Sequence, residues 1–505
     1  MNKGFYEKSN IASISNPLNI TYDALLQKSS DELDSWIDEL RDYVITQWDD
    51  NGQPPVIGQN EDEMISNWRK LFGYDVDSFF TEENKVVKNF NKFASGVNQF
   101  FPTMLKTKIS TGVSSENATS IYDHFKEDNL RSKFKSAMLR GLFRDSMYTF
   151  GKSVIKKEMG MGIKDFFNHY NNHEKIGLTI IQMSNKKPVS NSKYLIFNHK
   201  DLQEYIDAGI INDNNLKTIQ KDIVDYYELK NKDKRYYWYY VRQYNRHQRI
   251  FPSALQVFRL SLGQPAVNFP PLTAKFLYEH FTKHIPQDQK ITVYDPSSGW
   301  GGRILGAMTT NRDLHYIGTD PNPDNLGIYE KVAHYYNTHC FQSNPFFGKE
   351  RPNSYEVYSL GSEVIGDDEN FLKHFGKLDF VFTSPPYFNR EQYSQDENQS
   401  FKKFSAYEDW RDNFLKPTLT TAFNFLKNDR YICWNIADIK VGENKYIPLE
   451  QDSIDVIESL GGEYKGIYKM LMTRMVGIDA SNVKNSVKID GESYKFEPIL
   501  IFYKG

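Results

Sequence analysis

The sequence predicts an α/β protein, with a Rossmann-like domain built on a mostly parallel sheet that follows a large, mainly helical N-terminal region. Apolar strand patterns alternate with helical patterns through the second half of the chain. In the first half, apolar residues recur every three or four positions, as they do on one face of a helix. Two strand patterns end abruptly, one in a glycine-rich turn and one in a pair of prolines. Such strand ends form the ligand-binding edge of a parallel sheet.

Length and composition indicate a protein of at least two domains. The chain has 505 residues, more than one hydrophobic core usually serves, and we divide it into residues 1–255 and 256–505. No apolar run approaches the roughly 20 residues of a membrane span, and the polar opening residues do not resemble a signal peptide. Two cysteines, Cys340 and Cys433, support neither a disulfide framework nor a zinc site. We therefore expect a cytoplasmic protein that lacks a metal centre and a membrane partner.

The N-terminal region contains several helical patterns. The first has the spacing of a capping box at Ser29 and Glu32 and runs to about Trp48. Further patterns cover residues 61–72 and 83–101 and the stretch from about 120 to 159.

Two basic segments in this region suit nucleic-acid binding. The net charge of the chain is −3, so a nucleic-acid surface has to be local. Residues 125–160 hold nine bases against four acids, and residues 228–250 hold seven against two, which gives each segment a net charge of +5. The second segment interleaves five tyrosines and a tryptophan with its bases, a composition that favours phosphate contact and base stacking. The candidate contacts are Arg235, Arg242, Arg246 and Arg249. A packed element with a solvated charged edge is the alternative.

The second domain opens with a strand that enters a glycine-rich turn. The strand ITVYD, residues 291–295, is followed by PSSGWGGR and then by a helical pattern. Glycines allow the sharp turn and the close approach of a ligand to the backbone. The spacing does not match the G-x-G-x-x-G pattern of dinucleotide sites. The candidate ligand-binding residues of this turn are Asp295, Pro296, Ser297, Gly299 and Gly301.

Acidic residues follow the next two strands. Asp320 ends the strand HYIGT, at a spacing from Asp295 that suits one strand–helix–strand unit. An acid at this position can accept both hydroxyls of a ribose. Glu363 follows the third strand and is a further candidate.

The fourth strand, LDFVFT, stops at Ser384-Pro385-Pro386-Tyr387-Phe388. Proline has no N–H to donate, so the sheet ladder ends at the first of the two prolines. The Ser384 hydroxyl and the Pro385 carbonyl can accept the hydrogens of a planar amine, which draws its nitrogen toward a more nucleophilic, tetrahedral state. Tyr387, together with Phe388, can stack on a base and hold it for in-line attack. A tight turn with Tyr387 as a packing residue is the alternative.

The two motifs together resemble those of the S-adenosylmethionine-dependent amino-methyltransferases of DNA. TSPPYF is similar to their (D/N/S)-P-P-(Y/F/W) catalytic motif, and DPSSGWGG is similar to their D-P-F-x-G-x-G cofactor loop. The loop departs from that pattern in Ser297, where Phe is usual, and in the bulky Trp300 between the glycines. The resemblance covers residues 268–505 and implies a class I methyltransferase domain with an antiparallel final strand. It also implies that Phe269 and Pro270 contact the methionine end of S-adenosylmethionine.

The resemblance further implies methyl transfer to the exocyclic amino group of a flipped base in double-stranded DNA, and contact of Glu363 with the adenine of the cofactor. Serine in the catalytic motif slightly favours cytosine N4 over adenine N6. Neither cysteine follows a proline, so the thiolate mechanism of cytosine-C5 methylation is excluded. Because little chain follows the last strand, we expect residues 1–255 to recognise the target.

Three alternatives remain open at this stage. The substrate of a methyltransferase with these motifs can also be guanine N2 in RNA or a protein glutamine amide, although both families favour N-P-P-Y. A nucleic-acid-binding protein could retain the fold without turnover. The sequence also leaves open whether a companion restriction nuclease acts on the same DNA.

Overall fold

The computed structural model describes residues 28–52, 54, 61–88, 93–109, 118–135, 266–341, 352–388, 391–393, 396–442, 445–475, 480 and 483–505. Of these, residues 51–126 and 266–505 belong to one compact unit and residues 28–50 and 127–135 to a second. The predicted domain boundary near residue 255 lies outside the described residues and stays a prediction. Residues 51–126, however, are built into the unit that contains the sheet. In the described part of the chain, no helix has both the length and the apolarity to cross a membrane.

The second unit is organised around helix α1, Ser30–Asn51. The predicted capping box is confirmed: the backbone N–H of Ser29 donates to Glu32 Oε2 at 2.8 Å, and the N–H of Glu32 returns to Ser29 Oγ at 3.4 Å. The buried Arg41 of α1 donates to the carbonyl oxygen of Glu127 at 2.8 Å. This bond fixes the helix to the chain segment that follows it within the unit.

The helices of the sheet-containing unit are α2 Glu61–Phe72, α3 Ala94–Asn98, α4 Ile121–Lys126, α5 Pro271–Thr282, α6 Gly302–Met308, α7 Ile328–Tyr335, α8 Glu369–Leu372, α9 Ser400–Lys403, α10 Tyr407–Trp410, α11 Lys416–Phe425 and α12 Leu449–Ser459. Its strands are β1 Phe80–Thr81, β2 Val86–Val87, β3 Lys108–Ile109, β4 Ile291–Asp295, β5 Leu314–Thr319, β6 Ser354–Tyr358, β7 Leu378–Thr383, β8 Glu391–Gln392, β9 Leu426–Asn435, β10 Ile439–Gly442, β11 Lys445–Ile447, β12 Glu463–Met475, β13 Ser486–Ile489 and β14 Glu492–Lys504.

The main sheet has the predicted topology. Its order is β1-β2-β12-β14-β9-β7-β4-β5-β6, and β13 pairs with β14 at the side. Strands β6, β5, β4, β7 and β9 are parallel and follow the 3-2-1-4-5 order of a doubly wound sheet. The last strand, β14, runs antiparallel between β9 and β12. The predicted fold class is thus confirmed: a Rossmann-like, class I methyltransferase-type domain with an antiparallel final strand, preceded by helices.

The N-terminal segment extends the sheet where the sequence predicted a helix. The helix expected over residues 83–101 is wrong in its first part, because Val86 and Val87 form strand β2 and pair in parallel with β12. Two β-branched residues favour an extended backbone, and the edge of β12 supplies the hydrogen-bond partners of that backbone. Among the described residues of this stretch, Ala94–Asn98 form the helix α3.

The sheet is covered on both faces, and the N-terminal segment contributes to one of them. Trp68 of α2 is fully buried and packs edge-on against Tyr335 of α7, with ring centroids 5.7 Å apart. Phe101 is also fully buried and lies 5.2 Å from the ring of Tyr329. Residues from α2 to β3 therefore complete the hydrophobic core beside α5, α6 and α7.

The first prediction concerns this shared core. Phe101→Ala should lower the free energy of unfolding by about 3–5 kcal/mol, because it removes a fully buried ring that touches both halves of the chain. Chemical denaturation followed by far-UV circular dichroism measures the loss. Phe375→Ala is the matched control, since that ring is 59% exposed and should cost less than about 1 kcal/mol. Equal losses in the two variants would contradict the packing role of Phe101.

Candidate active site

A cavity of about 620 Å³ opens at the carboxyl ends of the central parallel strands. Its wall is formed by the glycine-rich turn after β4, the turn after β5 and the S-P-P-Y motif after β7. Residues of β9, β12 and β14 form the opposite side of the cavity, beyond β7 in the sheet. This is the edge at which parallel α/β sheets bind ligands, and the volume is in the range of small-molecule sites.

The two motifs meet because their strands are neighbours. β4 and β7 pair in parallel, with Val293 opposite Phe380 and Tyr294 opposite Val381. Residues far apart in sequence therefore leave the sheet side by side, and the hydroxyl of Thr383 donates to Asp295 Oδ1 at 2.7 Å.

Asp295 organises this junction from behind the cavity wall. Its carboxylate is fully buried and accepts from Arg303 Nε at 2.8 Å, the Tyr316 hydroxyl at 2.7 Å, the Thr383 hydroxyl at 2.7 Å and the Ser297 N–H at 3.2 Å. Four donors occupy its two oxygens, and Asp295 is not among the residues that line the cavity. Its place in the structure is that of a scaffold for the turn.

Arg303 connects this scaffold to the cavity. The residue lines the cavity although its side chain is only 4% exposed, and its guanidinium lies 5.7 Å from the centre of the Phe269 ring. Nε is bonded to Asp295, whereas the buried Nη2 has no hydrogen-bond partner among the described residues. A buried donor without a partner is rare in native proteins and suits an anionic ligand group. Sequence reasoning did not select Arg303, although it stands within the quoted loop.

The tight glycine turn is set by its neighbours from earlier in the chain. Gly301 has φ +76°, and a Cβ there would lie 2.5 Å from the ring of Phe101. A Cβ on Gly302 would lie 2.0 Å from the carbonyl oxygen of Phe269. Gly301 therefore packs against the N-terminal segment and does not line the cavity, whereas Phe269, Pro270, Pro296, Ser297 and Gly299 do.

An amide bridge fixes the same segment to the turn. Asn268 Nδ2 donates to Asn98 Oδ1 at 2.8 Å and to the carbonyl oxygen of Trp300 at 2.7 Å. Trp300, the bulky departure from the family pattern, lines the cavity. Asn98, which precedes the Rossmann-like domain in sequence, is thus linked to the turn through Asn268.

Asp320 reaches the cavity from the end of β5. One of its oxygens accepts from the Asn322 N–H at 2.7 Å, and the other accepts from Asn325 and from the Tyr329 hydroxyl. Burial raises the pKa of the Asp320 carboxyl above its ordinary value, and these donors partly offset the rise. The Tyr329 hydroxyl is also 2.6 Å from the carbonyl oxygen of Gly299, which ties the turns after β4 and β5 together.

Glu363 lines the cavity beyond β6 and is already paired. Its side chain is 5% exposed and accepts from Lys403 Nζ at 2.8 Å. Lys403 lies in α9, in the segment that follows the catalytic motif. The ion pair therefore connects that segment to the far end of the cavity.

The S-P-P-Y motif lies on the cavity wall, but the phenylalanine after it does not. Ser384, Pro385, Pro386 and Tyr387 line the cavity. Phe388 has φ +44° and is 5% exposed, and its ring packs in the core against Tyr407 and Trp410, at centroid distances of 5.6 and 6.0 Å. The expectation that Phe388 supplies part of a stacking face is not met by this arrangement.

Tyr387 is held by the strands at the other side of the cavity. Its hydroxyl donates to Glu497 of β14 and lies 3.4 Å from the carbonyl oxygen of Asn435 at the end of β9. Burial, and the nearby Glu497 carboxylate, raise the pKa of the Tyr387 phenol well above its ordinary value. Sequence reasoning missed both partners. The sequence signal for Glu497 is its position: it stands with Pro498 just before the apolar run ILIF.

The segment after the motif is anchored by the N-terminal segment. β8 pairs antiparallel with β3, so that Lys108 lies opposite Gln392 and Ile109 opposite Glu391. Ile109 and Tyr393 both line the cavity, and the ring of Tyr393 lies 5.6 Å from that of Trp300. Nothing in the sequence pattern indicated this pairing of two-residue strands. The candidate DNA contacts Arg235, Arg242, Arg246 and Arg249 lie outside the described residues.

The second prediction tests the scaffold around Asp295. Asp295→Asn should lower the free energy of unfolding by about 3–5 kcal/mol, because the buried Arg303 guanidinium loses its countercharge. Thermal and chemical denaturation measure the change. Asp412→Asn is the control: this carboxylate also pairs with an arginine, Arg411, but on the surface, where water screens the pair, so the loss of stability should be much smaller. A loss at position 295 no larger than at position 412 would refute the scaffold role.

Comparison with known proteins does not assign an activity to this chain. No protein-family model matches the chain, and no curated protein matches its sequence. A crystal structure of a methyltransferase from Pyrococcus furiosus is similar at 15% identity over 50% of this chain and 94% of that one, with a TM-score of 0.25. Precorrin-6y C5,15-methyltransferase from Geobacter metallireducens is similar at 11% identity over 43% and 82%, with a TM-score of 0.25. NSun6 from Pyrococcus horikoshii, crystallised with SFG, is similar at 9% identity over 48% and 53%, with a TM-score of 0.27. Similarity at this level indicates neither a substrate nor an activity.

Proposed function

We propose that this protein is an S-adenosylmethionine-dependent methyltransferase that modifies the exocyclic amino group of a base in DNA, with cytosine N4 favoured over adenine N6. The observation that carries the proposal is the meeting of three features on one cavity wall: a glycine turn, an acid at the next strand end, and the S-P-P-Y motif. Each feature separately is common, but their joint position at the carboxyl edge of the sheet suits transfer between two bound molecules.

The residues of the cavity fit S-adenosylmethionine. The unpartnered Arg303 Nη2 is a buried cationic donor that would hold the carboxylate of the cofactor. Asp320 would accept the ribose hydroxyls, and Glu363 would face the adenine. Phe269 and Pro270, at the other side of the turn, would contact the methionine chain. When bound, the cofactor supplies a methyl group activated by a positively charged sulfur.

The S-P-P-Y motif would prepare the amine that receives the methyl group. The nitrogen of an exocyclic amine is a poor nucleophile because its lone pair is delocalised into the ring. Ser384 Oγ and the Pro385 carbonyl oxygen would accept its two hydrogens and favour a tetrahedral nitrogen. Tyr387 would stack on a base flipped out of the duplex. The electron-rich face of its ring also stabilises positive charge as the methyl group moves.

The choice of DNA as substrate is supported by composition and by motif type. Basic and aromatic residues alternate in the segment that contains Arg235, Arg242, Arg246 and Arg249, and these residues would contact the phosphates and bases of double-stranded DNA. A solitary enzyme and one paired with a restriction nuclease would use the same chemistry. Guanine N2 of RNA and a protein amide are the competing substrates, and a binding protein without turnover is the non-enzymatic alternative.

The third prediction tests the cofactor site. Asp320→Ala should weaken S-adenosylmethionine binding roughly 10- to 100-fold, which is the scale of losing charge-assisted hydrogen bonds. The affinity of Asp320→Asn should lie between those of Asp320→Ala and the wild type, since asparagine keeps an acceptor and loses the charge. Isothermal titration calorimetry gives the dissociation constants. Asp368→Ala, at the N-terminus of α8, is a control that changes the same charge away from the cavity. Unchanged affinity in Asp320→Ala would remove this residue from the site.

The fourth prediction identifies the product. DNA incubated with the protein and isotope-labelled S-adenosylmethionine should yield labelled N4-methylcytosine after digestion and mass spectrometry, with N6-methyladenine as the second choice. Tyr387→Ala should abolish most turnover and leave cofactor affinity nearly intact, because the ring meets the base. Ser384→Ala should reduce turnover less, because the Pro385 carbonyl remains as an acceptor. Label found only in 5-methylcytosine, in RNA or in protein would overturn the proposal.

A further inference from the structure

Glu497 is a cavity carboxylate that has no role in the chemistry proposed above. Glu497 lies on β14, on the substrate side of the cavity, away from the turns after β4 and β5 that would hold the cofactor. Its carboxylate accepts a hydrogen bond from the hydroxyl of Tyr387, the residue that would stack on the base. The S-P-P-Y motif itself carries no acid, unlike the variants of the motif that begin with aspartate.

The register of the sheet places Glu497 firmly. It lies opposite Met470 of β12, and the next two residues of β14 enter the buried part of the strand, where Ile499 pairs with Asn435 of β9. Asn435 is fully buried and donates from Nδ2 to the carbonyl oxygen of Pro498 at 3.0 Å. The Tyr387 hydroxyl therefore lies between two fixed acceptors, the Glu497 carboxylate and the Asn435 carbonyl oxygen.

We infer that Glu497 is the positioning residue that sets the orientation of the Tyr387 ring for base stacking, so that the final antiparallel strand controls the catalytic motif. The inference rests on the proposed methyl transfer to a base. A tyrosine ring attached to the chain by two single bonds can rotate about both of them. A hydroxyl bound to a fixed carboxylate restricts that rotation, and less of the substrate binding energy is then spent on ordering the ring.

The carboxylate also acts on the ring electronically. A phenol that donates to an anion gains partial phenolate character, which makes the face of its ring more negative. Positive charge moves from the sulfonium toward the amine during transfer, so a more negative face opposite the base favours the transition state. Positioning and polarisation act through the same hydrogen bond, and both require the Tyr387 hydroxyl.

The experiment is a double-mutant cycle on the full-length protein. Glu497→Ala and Tyr387→Phe should each lower kcat by roughly 10- to 100-fold, the scale of losing a hydrogen bond to a charged group. The double variant should be no slower than the slower single variant, because the two residues act through one bond. Glu497→Gln should recover only part of the loss, since an amide oxygen still accepts from the phenol but lacks the negative charge. The dissociation constant of S-adenosylmethionine should stay within about twofold of the wild-type value in all four variants.

A matched control comes from the same strand. The Tyr503 hydroxyl donates to Asp429 at 2.7 Å, at the opposite end of β14 from Glu497. Tyr503→Phe removes the same kind of bond there and should leave kcat unchanged. Multiplicative losses in the Glu497/Tyr387 double variant, full activity in Glu497→Ala, or a parallel loss of cofactor affinity would each overturn the inference.

A second measurement separates this inference from the proposed function. The free energy of unfolding of the same variants gives the coupling between Glu497 and Tyr387 without any turnover. If the wild type transfers no methyl group to DNA while the two residues remain coupled, the proposed function fails and the positioning contact stands. If DNA is methylated but neither the stability cycle nor the kinetic cycle shows coupling, the positioning role fails alone.

Discussion

The architecture of the site depends on the buried carboxylate of Asp295. Its two oxygens accept hydrogen bonds from α6, from β5, from the end of β7 and from the glycine-rich turn after β4. Without these donors a buried charge would be strongly unfavourable, and without the charge the Arg303 guanidinium would be left unpaired. One group therefore fixes the relative positions of the glycine turn and the strand that carries the S-P-P-Y motif, which are the two parts that must lie together.

The N-terminal segment is a structural part of the site. Phe101 fills the space that the absent side chain of Gly301 leaves, Asn98 bonds Asn268 beside the turn, and β3 pairs with β8 after the S-P-P-Y motif. Contacts of this kind couple the conformation of residues 93–109 to the shape of the cavity. A change in that segment would therefore alter the cavity wall, although Ile109 is the residue of the segment that lines the cavity.

The electrostatic character of the cavity fits a cationic cofactor and a neutral amine. Asp320, Glu363, Glu391, Asp438 and Glu497 line it, against Arg303 and Lys495. Each of these five acids accepts a hydrogen bond from a lysine or tyrosine side chain, which fixes it in place. In the proposed reaction, an acidic wall of this kind would attract a sulfonium and would stabilise positive charge on the amine.

The sequence by itself determined the fold class, the mostly parallel sheet with an antiparallel final strand, and the position of the two motifs at strand ends. Those features follow from local signals, namely apolar periodicity, glycines at a sharp turn and prolines that end a strand. Only the tertiary structure decided that Asp295 is a scaffold, that Phe388 points into the core and that Glu497 holds Tyr387. It also decided that Arg303 Nη2 has no partner among the described residues. Each of these depends on side chains brought together from strands distant in sequence. Strand pairing is set by the packing of the whole sheet, so no local pattern around Tyr387 could identify its partner on β14.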